Sequence, residues 1–295
     1  MLGRLAVRLD PTTEQPRRES LLDEAIAMAR AVGDAGALAR LLALSPLVNW
    51  RPQSSARRHA DAAEVLALAA AGGDREAALW AHIVLHTERF AHGDIAGADR
   101  ELAAYDRLAG ELRRRYYRWY GKVLHATSAI FDGRLEAGRA LAAEAVAENR
   151  EHEQDAEQEW VVQQLLLARI EGRAGDVPLD GLREFAARYA GLPVWRALLA
   201  TGEWLAGDRE AARAAIEDCA PRGPAALPAD VDLPCTLALL ADVSASLGDL
   251  RYAGELRACL EPYATRNVLT DRSWAAWGAA AVSYTHLTLP TTPYV

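Results

Sequence analysis

Cysteine is scarce: Cys219, Cys235 and Cys259 are an odd number with no CxxC pair. That excludes a disulfide framework and a zinc-site spacing, and it suits a reducing compartment. Phenylalanine is rare, with 3 in 295 residues, and β-branched runs are few. Strands favour those residue types, so a sheet-based core lacks its usual material. No uninterrupted apolar span is long enough for a membrane helix, and Met1 to Asp10 has too short an apolar run for a secretory signal. Basic charge is not in excess: the formal net charge is -8 and the pI about 5.5, against the basic balance of a phosphate-tracking surface. No GxxxxGK(S/T) occurs, so a phosphate-cradling loop with its lysine is missing. These absences predict a cytoplasmic chain with no catalytic residues, no cofactor and no metal site. Neither nucleic acid nor membrane is expected as a direct partner.

What the sequence does have is a hydrophobic fraction of 51%, carried mainly by Ala and Leu. Both are strong helix formers, and the amount suffices for a buried core. A short turn signal recurs at Gly33-Asp34, Gly73-Asp74, Gly93-Asp94, Gly133-Arg134, Gly175-Asp176, Gly207-Asp208 and Gly248-Asp249. Glycine closes a helix in the left-handed region, and aspartate then accepts the free amide protons of the next one. Each dipeptide therefore reads as a helix–turn–helix joint. Gly93, Gly133, Gly207 and Gly248 are followed five residues on by a small residue, namely Ala98, Gly138, Ala212 and Ala253. A small side chain there lets antiparallel helices approach to about 8–10 Å. Gly93 to Gly133 spans 40 residues and Gly207 to Gly248 spans 41, somewhat above the roughly 34 of a tetratricopeptide unit.

Between joints the apolar residues step by three or four. Ile95, Ala98, Leu102, Tyr105, Leu108 and Leu112 make one stripe, and Leu237, Leu240, Ala241, Ser244 and Leu247 another. Helices are expected near 18–32, 35–48, 55–71, 74–92, 95–110, 113–132, 135–151, 155–174, 179–190, 193–206, 209–219, 232–247, 250–262 and 271–281. The predicted fold is all-α: antiparallel helix-pair repeats stacked as a right-handed, tetratricopeptide-like α-solenoid. Residues 1–17 form a lead-in and 18–281 the array. Residues 282–295 read as a disordered tail. After Arg272 no charged residue occurs, and the Thr- and Pro-rich run from Val282 to Val295 breaks the preceding pattern. This tail resembles a translated sequencing adapter, so the gene is expected to continue past about residue 281.

Several joined patterns carry a family resemblance. They are Gly191-Leu-Pro-Val-Trp-Arg-Ala-Leu-Leu-Ala200, Gly207-Asp-Arg-Glu-Ala-Ala212, Leu247-Gly-Asp249 and Pro262-Tyr-Ala-Thr-Arg-Asn-Val268, with Tyr117-Arg-Trp-Tyr120 and Gly133-Arg-Leu-Glu136. Across roughly residues 15 to 281 the chain resembles the C-terminal helical repeat region of large bacterial ATPase regulators. These are the MalT-like, LuxR-type regulators and the cyclase–ATPase fusions. The resemblance implies the sensor or scaffold part of such a protein, with an ATPase domain in cis in the full-length parent. The alternative is a fragment of an AAA/STAND-type ATPase or nucleotide cyclase whose catalytic domain lies upstream.

Four constellations carry candidate chemistry. His82 and His86 lie four apart near Glu88 and His92, a spacing that can chelate zinc, but Ile83 stands where HExxH has its glutamate. Packing histidines are the plainer reading. The run Arg113 to Lys122 mixes cations and aromatics as single-strand binders do. On a helix, however, Tyr116, Trp119, Tyr120 and Val123 form a core stripe, with Arg113, Arg114 and Arg118 outward. The carboxylates from Glu148 to Glu159 are expected at a solvated inter-helix turn and not as an acid–base pair. Trp80, Trp119, Trp160, Trp195 and Trp204 suit large positions between stacked helices, or a ligand-facing surface. Candidate partner-binding residues are Arg114, Arg118, Trp195 and Trp204. The expected partner is a protein or peptide, or a small effector.

Overall fold

A computed structural model describes residues 1–9, 14–49, 54–149, 154–270 and 273–286. Its helix joints explain its architecture. At Gly93, φ is +80°, a region closed to most side chains. The amides of Gly93 and Asp94 bond back to the carbonyls of Phe90 (3.1 Å) and Arg89 (2.9 Å), closing one helix. The Asp94 carboxylate then accepts from the Gly97 amide at 2.9 Å and opens the next. Asp34, Asp74 and Asp208 cap in the same way, accepting from Ala37, Ala77 and Ala211 at 2.8, 3.0 and 2.9 Å.

Two expected joints differ. Asp249 is held by the backbone amide and guanidinium of Arg251 (3.2 and 3.0 Å), so its carboxylate is not free to cap, and the next helix starts only at Ala253. Gly175-Asp176 lies in a 3₁₀ turn, Ala174–Asp176; the left-handed glycine that ends the preceding helix is Gly172, at φ +66°. Pro178 disfavours helix at Val177, so the following helix waits until Leu179.

The fold is an all-α helical repeat, and the chain divides into two compact units, Met1–Gly121 and Lys122–Val295. The first holds α1 (Leu2–Arg8), α2 (Gln15–Val32), α3 (Ala35–Val48), α4 (Ser55–Gly72), α5 (Arg75–Ala91), α6 (Ile95–Leu112) and the start of α7 (Arg115–Phe131). Each of α2 to α6 packs on its neighbour in sequence, and α3 also meets α5. The lead-in is thus partly helical. Arg18, buried in α2, ties α1 down by donating from Nε to the Ala6 carbonyl (2.9 Å), and reaches the Leu47 carbonyl with Nη2 (2.8 Å).

The second unit continues with α8 (Leu135–Asn149), α9 (Gln154–Glu171), α10 (Leu179–Arg188), α11 (Pro193–Leu205), α12 (Arg209–Cys219), α13 (Leu233–Leu247) and α14 (Ala253–Leu260). Its core joins Leu165, Leu167, Leu198, Leu237 and Leu240, with α11 packed against α9, α10, α12 and α13. The helix expected at 271–281 does not form. An antiparallel hairpin takes its place, β1 (Asn267–Thr270) with β2 (Ala275–Ala279), followed by α15 (Ala280–His286). Val268 and Thr270 are β-branched, and Val268 and Ala275 are buried in the unit's core, so pairing and burial outweigh the helix propensity of the alanines. Helix α15 also enters the segment expected to be disordered from 282; residues 287–295 lie outside the described residues.

Candidate interaction surface

Within the second unit the hairpin lies against α7, α9 and α13, gripped by polar side chains that those helices bury. Thr127, beside Ser128 in the second half of α7, is 1% exposed. Its hydroxyl lies 2.9 and 2.7 Å from the carbonyl oxygens of Ser273 and Trp274, which share its single proton. Gln163 of α9, also 1% exposed, donates from Nε2 to the Trp274 carbonyl at 3.0 Å and to the Val123 carbonyl at 3.3 Å. Gln163 Nε2 also reaches the Thr127 hydroxyl at 3.3 Å, and what both side chains hold of the hairpin is main chain, not side chain. A helix face carrying such groups can satisfy the backbone of a segment with few hydrogen bonds of its own.

The register places the other contacts. Val268 pairs with Gly278 and Leu269 with Ala276, so Trp277 is the extra residue of a bulge. A bulge re-aims the side chain it carries. The Trp277 indole donates to Thr270 Oγ1 at 2.6 Å, and its ring lies 5.8 Å from the Arg169 guanidinium of α9. Arg169 is fixed by Asp242 of α13 at 2.6 Å. Beneath, Cys235 Sγ sits 3.4 Å from Thr270 Oγ1, and burial pushes its thiol far above the ordinary range. All three cysteines are free thiols. Trp274 is buried, and its indole nitrogen has no hydrogen-bond partner among the described residues. Ser273 holds φ +71° while fully buried.

The residues expected to matter are dispersed. Ala98 and Ala212 are fully buried where their helices approach, and the Ala98 carbonyl accepts from buried His86 Nδ1 at 3.0 Å. At Gly138 a Cβ would fall 2.5 Å from Ile130 Cγ1, so α7 and α8 touch there. Ala253, at the start of α14, is only half-buried. Arg114 and Arg118 are exposed on the first unit, where Arg114 pairs with Glu76 at 3.1 Å. Trp195 is 3% exposed, its ring 4.9 Å from Phe185. It belongs to the core and offers a partner no surface, which corrects the expectation. Trp204 is half-buried against the same core.

The histidines go to separate partners: His82 to Glu101 at 2.8 Å, His86 to the Ala98 carbonyl, and His92 to the Glu88 carbonyl at 2.7 Å. The hydrogen bond to His82 pulls Glu101 below the usual carboxylate range, against its burial. Of the acidic run, Glu159 is 2% exposed within α9 and not solvated at a turn; Glu151 and Glu153 lie outside the described residues. The first unit also bears a groove of about 380 Å³ over Leu66, Ala69, Ala78 and Leu108, with Arg75 and Glu111 paired at 3.0 Å. No described helix is long and apolar enough to cross a membrane.

Thr127, Gln163 and Arg169 were not singled out from sequence. Their signal in the sequence is weak: Gln163 stands beside Gln164 and Thr127 beside Ser128, and only Arg169, after Leu165-Leu-Leu-Ala168, interrupts an apolar helical run. No family model matches the chain, and neither a curated protein nor a solved structure is measurably similar to it.

Proposed function

We propose that this chain is a non-catalytic helical repeat scaffold that binds an extended protein or peptide segment. One observation supports it above the rest: buried Thr127 and Gln163 present donors to the main-chain carbonyls of a non-helical segment. Helical repeat arrays commonly use the surfaces between stacked pairs for such binding. A right-handed, tetratricopeptide-like stacking belongs to this proposal. So does a place in the cytoplasm, in keeping with the free thiols, as the sensor part of a larger ATP-dependent signalling or transcriptional regulator.

The test is calorimetric titration of the purified chain with a panel of extended peptides, repeated on a Thr127→Val, Gln163→Leu variant that keeps its helical circular dichroism. Binding by the parent that weakens in the variant is the expected result. Absence of binding across the panel, or hydrolysis of a nucleotide by the isolated chain, counts against a non-catalytic scaffold.

A further inference from the structure

The face formed by α7, α9 and α13 is already filled, and what fills it comes from the same chain. The grip is directed at the carbonyls of Ser273 and Trp274, so it is indifferent to side-chain identity at those positions. One further slot does select. Arg169, braced by Asp242, presents a guanidinium to the ring of Trp277, a contact that favours an aromatic side chain.

The occupant fits imperfectly. The Trp274 indole N–H is buried without an acceptor among the described residues, a burden on the bound state. Ser273 holds a left-handed conformation that a non-glycine residue disfavours. The hairpin has two strands and a bulge, and it pairs with no further strand among the described residues; isolated hairpins are marginal in water. A well-built receptor face thus holds a strained ligand.

We propose that the hairpin strands β1 (Asn267–Thr270) and β2 (Ala275–Ala279), with Ser273 and Trp274, are a self-ligand. It occupies in cis a receptor face for extended polypeptide, and a partner segment carrying an aromatic residue displaces it. This rests on the scaffold reading above and adds the occupied state. The apparent affinity for a partner is then reduced by the fraction of time the hairpin is away. Partner binding and hairpin release become one event.

The test uses the full chain and a labelled synthetic peptide of residues 265–281, read by fluorescence anisotropy. Trp277→Ala removes the Arg169 contact and the bond to Thr270, and Ala276→Pro breaks strand pairing. Each is first checked for retained helical circular dichroism. Both should bind the peptide at least about tenfold more tightly than the parent, as expected when an occupant present most of the time is loosened. Adding Thr127→Val and Gln163→Leu should abolish that gain. Saturating the parent with peptide should also speed hydrogen exchange at the Val268 and Leu269 amides. Equal affinity of parent and both variants, or tight binding to the parent with those amides still protected, overturns the proposal. If other peptides bind through Thr127 and Gln163 while this one does not, the scaffold reading survives and the self-ligand falls.

Discussion

One added methyl group separates two kinds of glycine in this chain. At Gly33, φ is +73° and a Cβ would meet nothing within 4 Å. Gly33→Ala therefore carries only the left-handed backbone term, about 1–2 kcal/mol. At Gly138 the same atom would meet Ile130 Cγ1 at 2.5 Å, the Ile130 amide nitrogen at 3.2 Å and the Ala126 carbonyl at 3.3 Å. Backbone cannot swing aside, so Gly138→Ala should cost about 1–3 kcal/mol through overpacking. Urea melts of the two variants check both figures, and insertion of Ala at 138 without loss would refute the close approach of α7 and α8.

Asp230, in the loop before α13, gives a pH-dependent case. Burial pushes its carboxyl up to about 6, against hydrogen bonds from the backbone amides of Asp232 and Leu233. A pKa raised on folding means a contribution present below about pH 4 and lost as pH rises through 6. Asp230→Asn keeps the shape without the charge. It should stabilise the protein by up to about 2 kcal/mol at pH 7.5, with the gain fading towards pH 4. Thermal melts across that range decide it; a gain independent of pH would rule out the titration.

Helices α4 and α5 are joined by more than their apolar stripes. Arg58 and Glu88 are 3% and 7% exposed and meet at 2.5 Å. Ser55 bonds the other Glu88 oxygen, and Arg58 also reaches the Asn49 carbonyl at 3.1 Å. Removing one partner of a buried pair leaves an uncompensated charge, so Glu88→Gln should destabilise by about 3–5 kcal/mol. The exposed Arg30–Glu64 pair, at 54% and 36% exposure, is a control between helices of the same unit. Its loss should cost well under about 1 kcal/mol. Denaturant midpoints for Glu88→Gln and Glu64→Gln compare them directly; similar losses would contradict a buried Arg58–Glu88 pair.

For the molecule as a whole, most packing joins helices adjacent in sequence, which favours rapid folding. The hairpin makes contacts of far longer range: Thr127 and Ser273 are 146 residues apart. Closing so long a loop precedes any gain from the contact, so hairpin docking should come late. Thr127→Val, worth about 1 kcal/mol for one hydrogen bond, should then speed unfolding about fivefold and leave refolding unchanged. Stopped-flow tryptophan fluorescence separates the two rates. A slowed refolding phase would place the hairpin in the folding nucleus.

Helix, joint and stripe were legible along the chain because each depends on residues a few positions apart. Gly93 with Asp94, Gly207 with Asp208, and the three-and-four spacing from Ile95 to Leu112 needed no knowledge of distant residues. The hairpin was not legible, since an Ala-rich segment has the helix propensity from which a helix was expected at 271–281. Only the second unit's core, which buries Val268 and Ala275, makes strand pairing the better state. The same holds for Thr127, Gln163 and Trp195. A polar residue or a large ring on a helix is neutral evidence until folding decides whether a carbonyl, the core or water lies opposite. That decision belongs to tertiary structure because it depends on residues far apart in the chain, and local preference does not reach them.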